Sequence, residues 1–67
     1  MKAPVDRTGQ IWEVDDELIL VLRPATWSEK LDAWDHTCLS LQRGDVTDRL
    51  ELAYTGWDCA KWMRRVS

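Results

Sequence analysis

His36 and Cys38 stand two residues apart, with Cys59 further along and Asp35 and Asp58 beside them. Imidazole nitrogen and thiolate sulfur are the ligands zinc prefers, and a carboxylate can complete the tetrahedron. A structural zinc site draws its four ligands from paired short spacings, however, and this chain has no Cys-x-x-Cys pair. The same His36 and Cys38 could make a nucleophile–base pair, but no third group orients the histidine and nothing supplies an oxyanion hole. Both cysteines are therefore read as small reduced hydrophobes. Two carboxylate groupings remain, Asp15-Asp16-Glu17 and Asp45, Asp48 and Glu51. Such groups can move protons or hold a hard cation, yet the glycine-spaced pattern of a calcium loop is missing. They read as a solvated turn and a solvated strand face. The residues thus indicate no catalytic site, no metal and no cofactor: a non-enzymatic protein.

The aromatic residues carry more information. Five tryptophans, Trp12, Trp27, Trp34, Trp57 and Trp62, occur in 67 residues with one tyrosine and no phenylalanine. A chain this short makes one domain and buries only about 60% of its unfolded surface. It cannot easily enclose five indoles. Trp12 and Trp62 fall on strands with apolar partners and are expected in the core. Trp27, Trp34 and Trp57 fall in or beside loops, where an exposed ring is typical of an interface anchor. Glu29, Asp32 and Asp35 lie close in sequence to the first two, so the expected surface is aromatic and acidic. It suits a peptide or protein partner bearing Lys, Arg or proline, and a second copy of this chain is one such partner.

Two other function classes stay open. Arg43, Arg49, Arg64 and Arg65 would bind nucleic acid if the fold gathered them on one face. The net charge of −3 argues against this, because phosphate binding rests on an excess of Lys and Arg. The other class is a small oligomer-forming protein with no ligand, recognisable by an apolar face exposed in the monomer and buried in a dimer. The N-terminus has no apolar leader, the longest apolar run (Leu18 to Leu22) cannot span a bilayer, and two cysteines make no disulfide framework. The expected setting is cytoplasmic, away from membranes.

The elements that must position these residues follow from periodicity and punctuation. Residues 1–8 read as a loose arm and 9–67 as one β-rich domain. Gln10 to Val14 and Glu17 to Arg23 are expected to form a hairpin across Asp15-Asp16, the second strand buried on both faces and stopped by Pro24. Thr26-Trp27-Ser28-Glu29 has capping-box spacing, which leaves a helical turn and an irregular loop as equal readings for residues 25–33. Trp34 to Leu41 and Val46 to Tyr54 make a second hairpin across Gln42-Arg43-Gly44-Asp45. In the latter strand Leu50, Leu52 and Tyr54 share one face and Arg49, Glu51 and Ala53 the other. After Thr55-Gly56, a tight turn over Trp57 to Lys61 leads to a last strand, Trp62 to Val66; a C-terminal helix is the competing reading. The expected core is Trp12, Val14, Leu18, Leu20, Leu22, Leu39, Leu41, Leu50, Leu52 and Trp62.

Two hairpins, an intervening loop, a tight turn and a final strand is the order of a small antiparallel five-stranded SH3-like β-barrel, which the chain resembles over most of its length. The opening Gly9-Gln10-Ile11-Trp12-Glu13-Val14 also looks like the first strand of PemK-like growth-inhibitor toxins, which share that barrel. The resemblance implies a toxin-like ribonuclease relative as an alternative function. It covers only the first strand: Arg-Pro precedes the second strand in that family, whereas Arg23-Pro24 follows it here, so no catalytic residue carries over.

Overall fold

The computed structural model describes residues 3–51 and 56–67, the side chain of Cys59 excepted. Among the described residues the regular structure is antiparallel β sheet with almost no helix. Its strands are β1 (Ile11–Val14), β2 (Glu17–Val21), β3 (Thr26–Ser28), β4 (Ala33–Ser40), β5 (Val46–Leu50) and β6 (Met63–Arg65), with one 3₁₀ turn at Trp57–Cys59.

The first hairpin shows how local geometry sets the core. Asp15 and Asp16 both adopt positive φ, 49° and 67°, so they form a two-residue loop of the kind whose twist matches the flanking strands. That loop pairs Val14 with Glu17 and therefore Trp12 with Ile19. Paired residues share a face, so Ile19 and Val21 join Trp12 and Val14 on the inner side. All four are buried, together with Cys38 and Trp57, and Met63 packs against them.

β4 organises the rest. Asp35 pairs with both Thr26 and Leu50, and Cys38 with both Val21 and Thr47. β5 therefore occupies one edge of β4, while β2 and β3 lie end to end along the other. Between them, Leu22 N–H still donates to the Thr37 carbonyl (2.9 Å). The chain then bulges out at Arg23-Pro24-Ala25, where proline has no N–H to give. β6 completes the sheet beside β1.

Several expectations are corrected. The sheet has six strands and is open, not a closed five-stranded barrel. Residues 25–33 form neither a helical turn nor a loop: β3 and the start of β4 make a hairpin, with Ser28 opposite Ala33. Leu18, Leu20 and Leu39 are only half-buried, and Leu22, Leu41 and Leu50 are exposed. Each lies on the face opposite Trp12, because the register is fixed by the Asp15-Asp16 loop. β5 is inverted in the same sense: Thr47 and Arg49 turn inward, and Val46 and Leu50 outward. Trp62, expected in the core, is 55% exposed, whereas Trp57 is fully buried. Trp57 can be buried because its indole N–H donates to the Leu50 carbonyl (2.9 Å), and its ring meets Trp12 edge-on at 5.4 Å. The turn at Trp57 and the last strand are observed; Leu52 and Tyr54 lie outside the described residues.

Candidate functional site

On the outer face, opposite the core, the register aligns apolar residues from strand to strand. Ile11 pairs with Leu20, Leu20 with Leu39, and Leu39 with Val46. Val66 extends this row, since its N–H donates to the Ile11 carbonyl (2.8 Å). On one side lies a second row, in which Glu13 pairs with Leu18 and the Leu41 N–H donates to the Leu18 carbonyl. On the other, Leu22 meets Thr37, which pairs with Asp48. Val46 is 64% exposed and Val66, Leu41 and Leu22 are each more than 40% exposed. Scattered apolar residues are normal on a protein surface, whereas these are contiguous from strand to strand. At one corner the exposed Trp62 lines an open depression of about 360 Å³ with Glu13, Asp15, Asp16, Lys61 and Arg64.

The inner face holds a different arrangement. Arg7, within the stretch read as a loose arm, is buried at 3% exposure. Its guanidinium lies over the rings of Trp12 (5.3 Å) and Trp57 (5.1 Å), a stacking that suits a desolvated cation. Its fork meets Glu51, with Nε donating to Oε1 (3.1 Å) and Nη2 to Oε2 (3.3 Å). His36 Nε2 lies 2.8 Å from Glu51 Oε1, and the Trp57 backbone N–H donates to Oε2 (3.2 Å). An ionised carboxylate only accepts, so Nε2 carries the histidine proton. Burial pushes the Glu51 carboxyl up, but the hydrogen bonds from Arg7 and His36, with the Arg7 charge, outweigh it and hold it below the usual range. The Cys38 thiol has no such support, and burial raises it to about 11. Histidine, carboxylate and arginine together are a set that can move protons. Here His36 is fully buried and every bond named is internal, so the set ties the N-terminal segment, β4, the end of β5 and the 3₁₀ turn together.

The expected partner residues are divided. Trp27 and Trp34 meet edge-on at 5.6 Å across the β3–β4 hairpin, with Glu29 and Asp32 exposed in the turn that joins them. Trp27 is exposed and Trp34 half-buried; Trp57 is enclosed against Trp12 and His36, away from the surface. The arginines do not share a face. Arg49 pairs with His36 on the inner side, whereas Arg64 pairs with Glu13 on the outer side. Arg43 and Arg49 both approach Glu17 (3.1 and 3.5 Å), Arg64 approaches Glu13 (3.2 Å), and Arg65 is exposed on β6. Among the described residues no group of three or more His, Cys, Asp or Glu could hold a metal ion, and no helix is long and apolar enough to cross a membrane. The outer apolar row, Trp62 and Arg7 were not singled out as sites from sequence, because each depends on pairings across several loops.

Comparison with known protein families, with curated proteins and with solved structures gives no match.

Proposed function

We propose that this protein is a small, non-enzymatic interaction module of the cytoplasm that docks another protein on the outer face of its sheet. One observation carries the reading: the cross-strand row Ile11–Leu20–Leu39–Val46, extended by Val66, is apolar throughout and faces outward, half-buried at Ile11, Leu20 and Leu39 and exposed at Val46 and Val66. Strands of this length could present polar side chains to water on that face at no structural cost. Leucine and valine there favour a partner, since each branched chain removed from water contributes on the order of 1.5–3 kcal/mol. Trp62 adds an aromatic anchor at the corner, beside carboxylates that suit a Lys or Arg of the partner. Trp27, with Glu29 and Asp32, makes a second aromatic and acidic contact at the β3–β4 tip.

The test is a photoreactive phenylalanine analogue placed at Val46 in the producing cells. Irradiation should yield a protein adduct, and one placed at the Glu29 tip reports the second contact separately. A Val46 probe that captures no protein at all refutes the docking face.

A further inference from the structure

We infer that the occupant of this outer face is a second copy of the same chain, docked about a two-fold axis that sets Arg64 of one copy against Asp48 of the other. The inference rests on the docking face proposed above and identifies what covers it. Two features of the face support it: its charge pattern and its size.

The charges sit at opposite ends of a diagonal. Arg64, on β6, lies in the row of Glu13 and Leu18; Asp48, on β5, lies in the row of Leu22 and Thr37. The apolar row runs between them. A two-fold axis in the plane of contact, perpendicular to that diagonal, brings each Arg64 onto the opposite Asp48 and lays apolar row across apolar row. The surface is then complementary to itself, as an isologous dimer requires. The charges around Asp48 fit this. Asp48 and Asp35 crowd each other on the same face: burial, then the Asp48 charge, raises the Asp35 carboxyl, and His36 and Arg23 relieve it only in part. A cation arriving at Asp48 relieves that repulsion. Arg64 is 69% exposed on its side chain; its Nε and Nη2 both donate to one oxygen of Glu13 (3.4 and 3.2 Å), so part of its donor fork still faces solvent and can be shared.

The size is adequate for a weak dimer. Strands lie about 4.8 Å apart and alternate residues about 6.8 Å apart along each, so the outward positions of the three rows project on the order of 400 Å². Side chains raise the accessible area above the projected one. The face thus falls in the range of weak, transient interfaces, below about 600 Å² per partner. A chain exposing 4658 Å² in all can give up that much and keep a soluble surface.

The experiment is sedimentation equilibrium of the purified chain over a wide concentration range, with R64D, D48R and their equimolar mixture. The wild type should dimerise reversibly. Each charge reversal places like charges together twice and should weaken association about thirtyfold, taking each of the two exposed pairs near 1 kcal/mol. The mixture should recover it. One end of the mixed dimer sets the introduced acid against the introduced base, and the other end keeps the native pair of Arg64 and Asp48. L39K, or V46K if the first fails to fold, should abolish association with the thermal melt retained. A wild type that stays monomeric, or charge variants that dimerise as well as it does, overturns the inference. A monomer whose Val46 probe captures a different protein in cells overturns the dimer and leaves the docking face standing. A dimer indifferent to both L39K and V46K overturns both.

Discussion

Replacing Glu51 with glutamine tests the buried network more sharply than any deletion, because the shape is kept and only the acceptors change. Glu51 Oε1 serves Arg7 Nε and His36 Nε2, and Oε2 serves Arg7 Nη2 and the Trp57 N–H. Glutamine has one oxygen and one NH₂ group. In the Oε2 place the NH₂ faces Arg7 Nη2 and the Trp57 N–H, and two hydrogen bonds become donor–donor contacts; in the Oε1 place it opposes Arg7 Nε, while His36 can move its proton to Nδ1 and accept from it. Arg7 also loses its buried counter-ion and keeps, among the described residues, Asp58 at 3.5 Å, which is largely exposed. One lost bond to the Arg7 cation sets a floor of about 1.5–3 kcal/mol, and breaking the buried Arg7–Glu51 pair brings the loss to about 3–5 kcal/mol. A single core of this size supplies roughly 3–5 kcal/mol in total. E51Q should therefore be largely unfolded at 25 °C. Urea titration followed by tryptophan fluorescence reads this directly, since Trp12 and Trp57 leave the core on unfolding. R7M/E51Q removes the stranded cation and should regain about 1–2 kcal/mol over E51Q alone. An E51Q midpoint within about 0.5 kcal/mol of wild type, the range of surface changes, would mean that Arg7 is solvated and the network holds nothing.

Three further outcomes follow from the same region. Gly56 has φ 67° and ψ 178°, and a Cβ there would lie 3.2 Å from Glu51 Oε2; G56A should lose about 1–3 kcal/mol by urea titration, and no loss would contradict the described turn. Because the Glu51 carboxyl is lowered in the folded state, its contribution is fully present above the unfolded value of about 4.3 and is lost as pH falls through the folded value. The urea midpoint should drop below about pH 4.3, and less steeply in R7M; equal slopes would refute the coupling. Cys38 is fully buried with its thiol raised to about 11, so peptide mapping after iodoacetamide treatment should find it alkylated only at the rate of unfolding. Prompt modification in native conditions would contradict its placement.

The antiparallel β character was legible from punctuation, and the hairpin across Asp15-Asp16 was legible in place. Its consequence was available too. A two-residue loop that pairs Val14 with Glu17 puts Ile19 and Val21, not Leu18 and Leu20, beside Trp12. Hydrophobicity could not choose, because both faces of β2 are apolar, and leucine is the larger residue. β4 misleads for a physical reason: its inner face carries His36, Cys38 and Ser40, all fully buried, while apolar Leu39 looks outward. Cys38 donates to the His36 carbonyl and Ser40 accepts from the Arg43 N–H, but His36 is met by Glu51, which Arg7 anchors from 44 residues away, a separation no local pattern reports. The two misplaced tryptophans share a cause. Proximity to a loop says nothing of burial: Trp57 is enclosed because a free carbonyl at Leu50 receives its N–H, and Trp62 follows a turn that carries it to the rim. The outer row needs the registers of β1 with β2, β2 with β4, and β4 with β5 at once, so the exposed apolar face was foreseeable only as a class.

Hydroxyl-radical footprinting tests the docking face most directly, since the reagent labels exposed leucine, valine and tryptophan side chains by their access to water. The comparison is between the dilute purified chain and the chain inside the cells that produce it. The account predicts that Val46, Val66, Leu41 and Trp62 are labelled in the dilute protein and protected in cells, with Val5 labelled equally in both. Equal labelling of the outer face in both settings would contradict it.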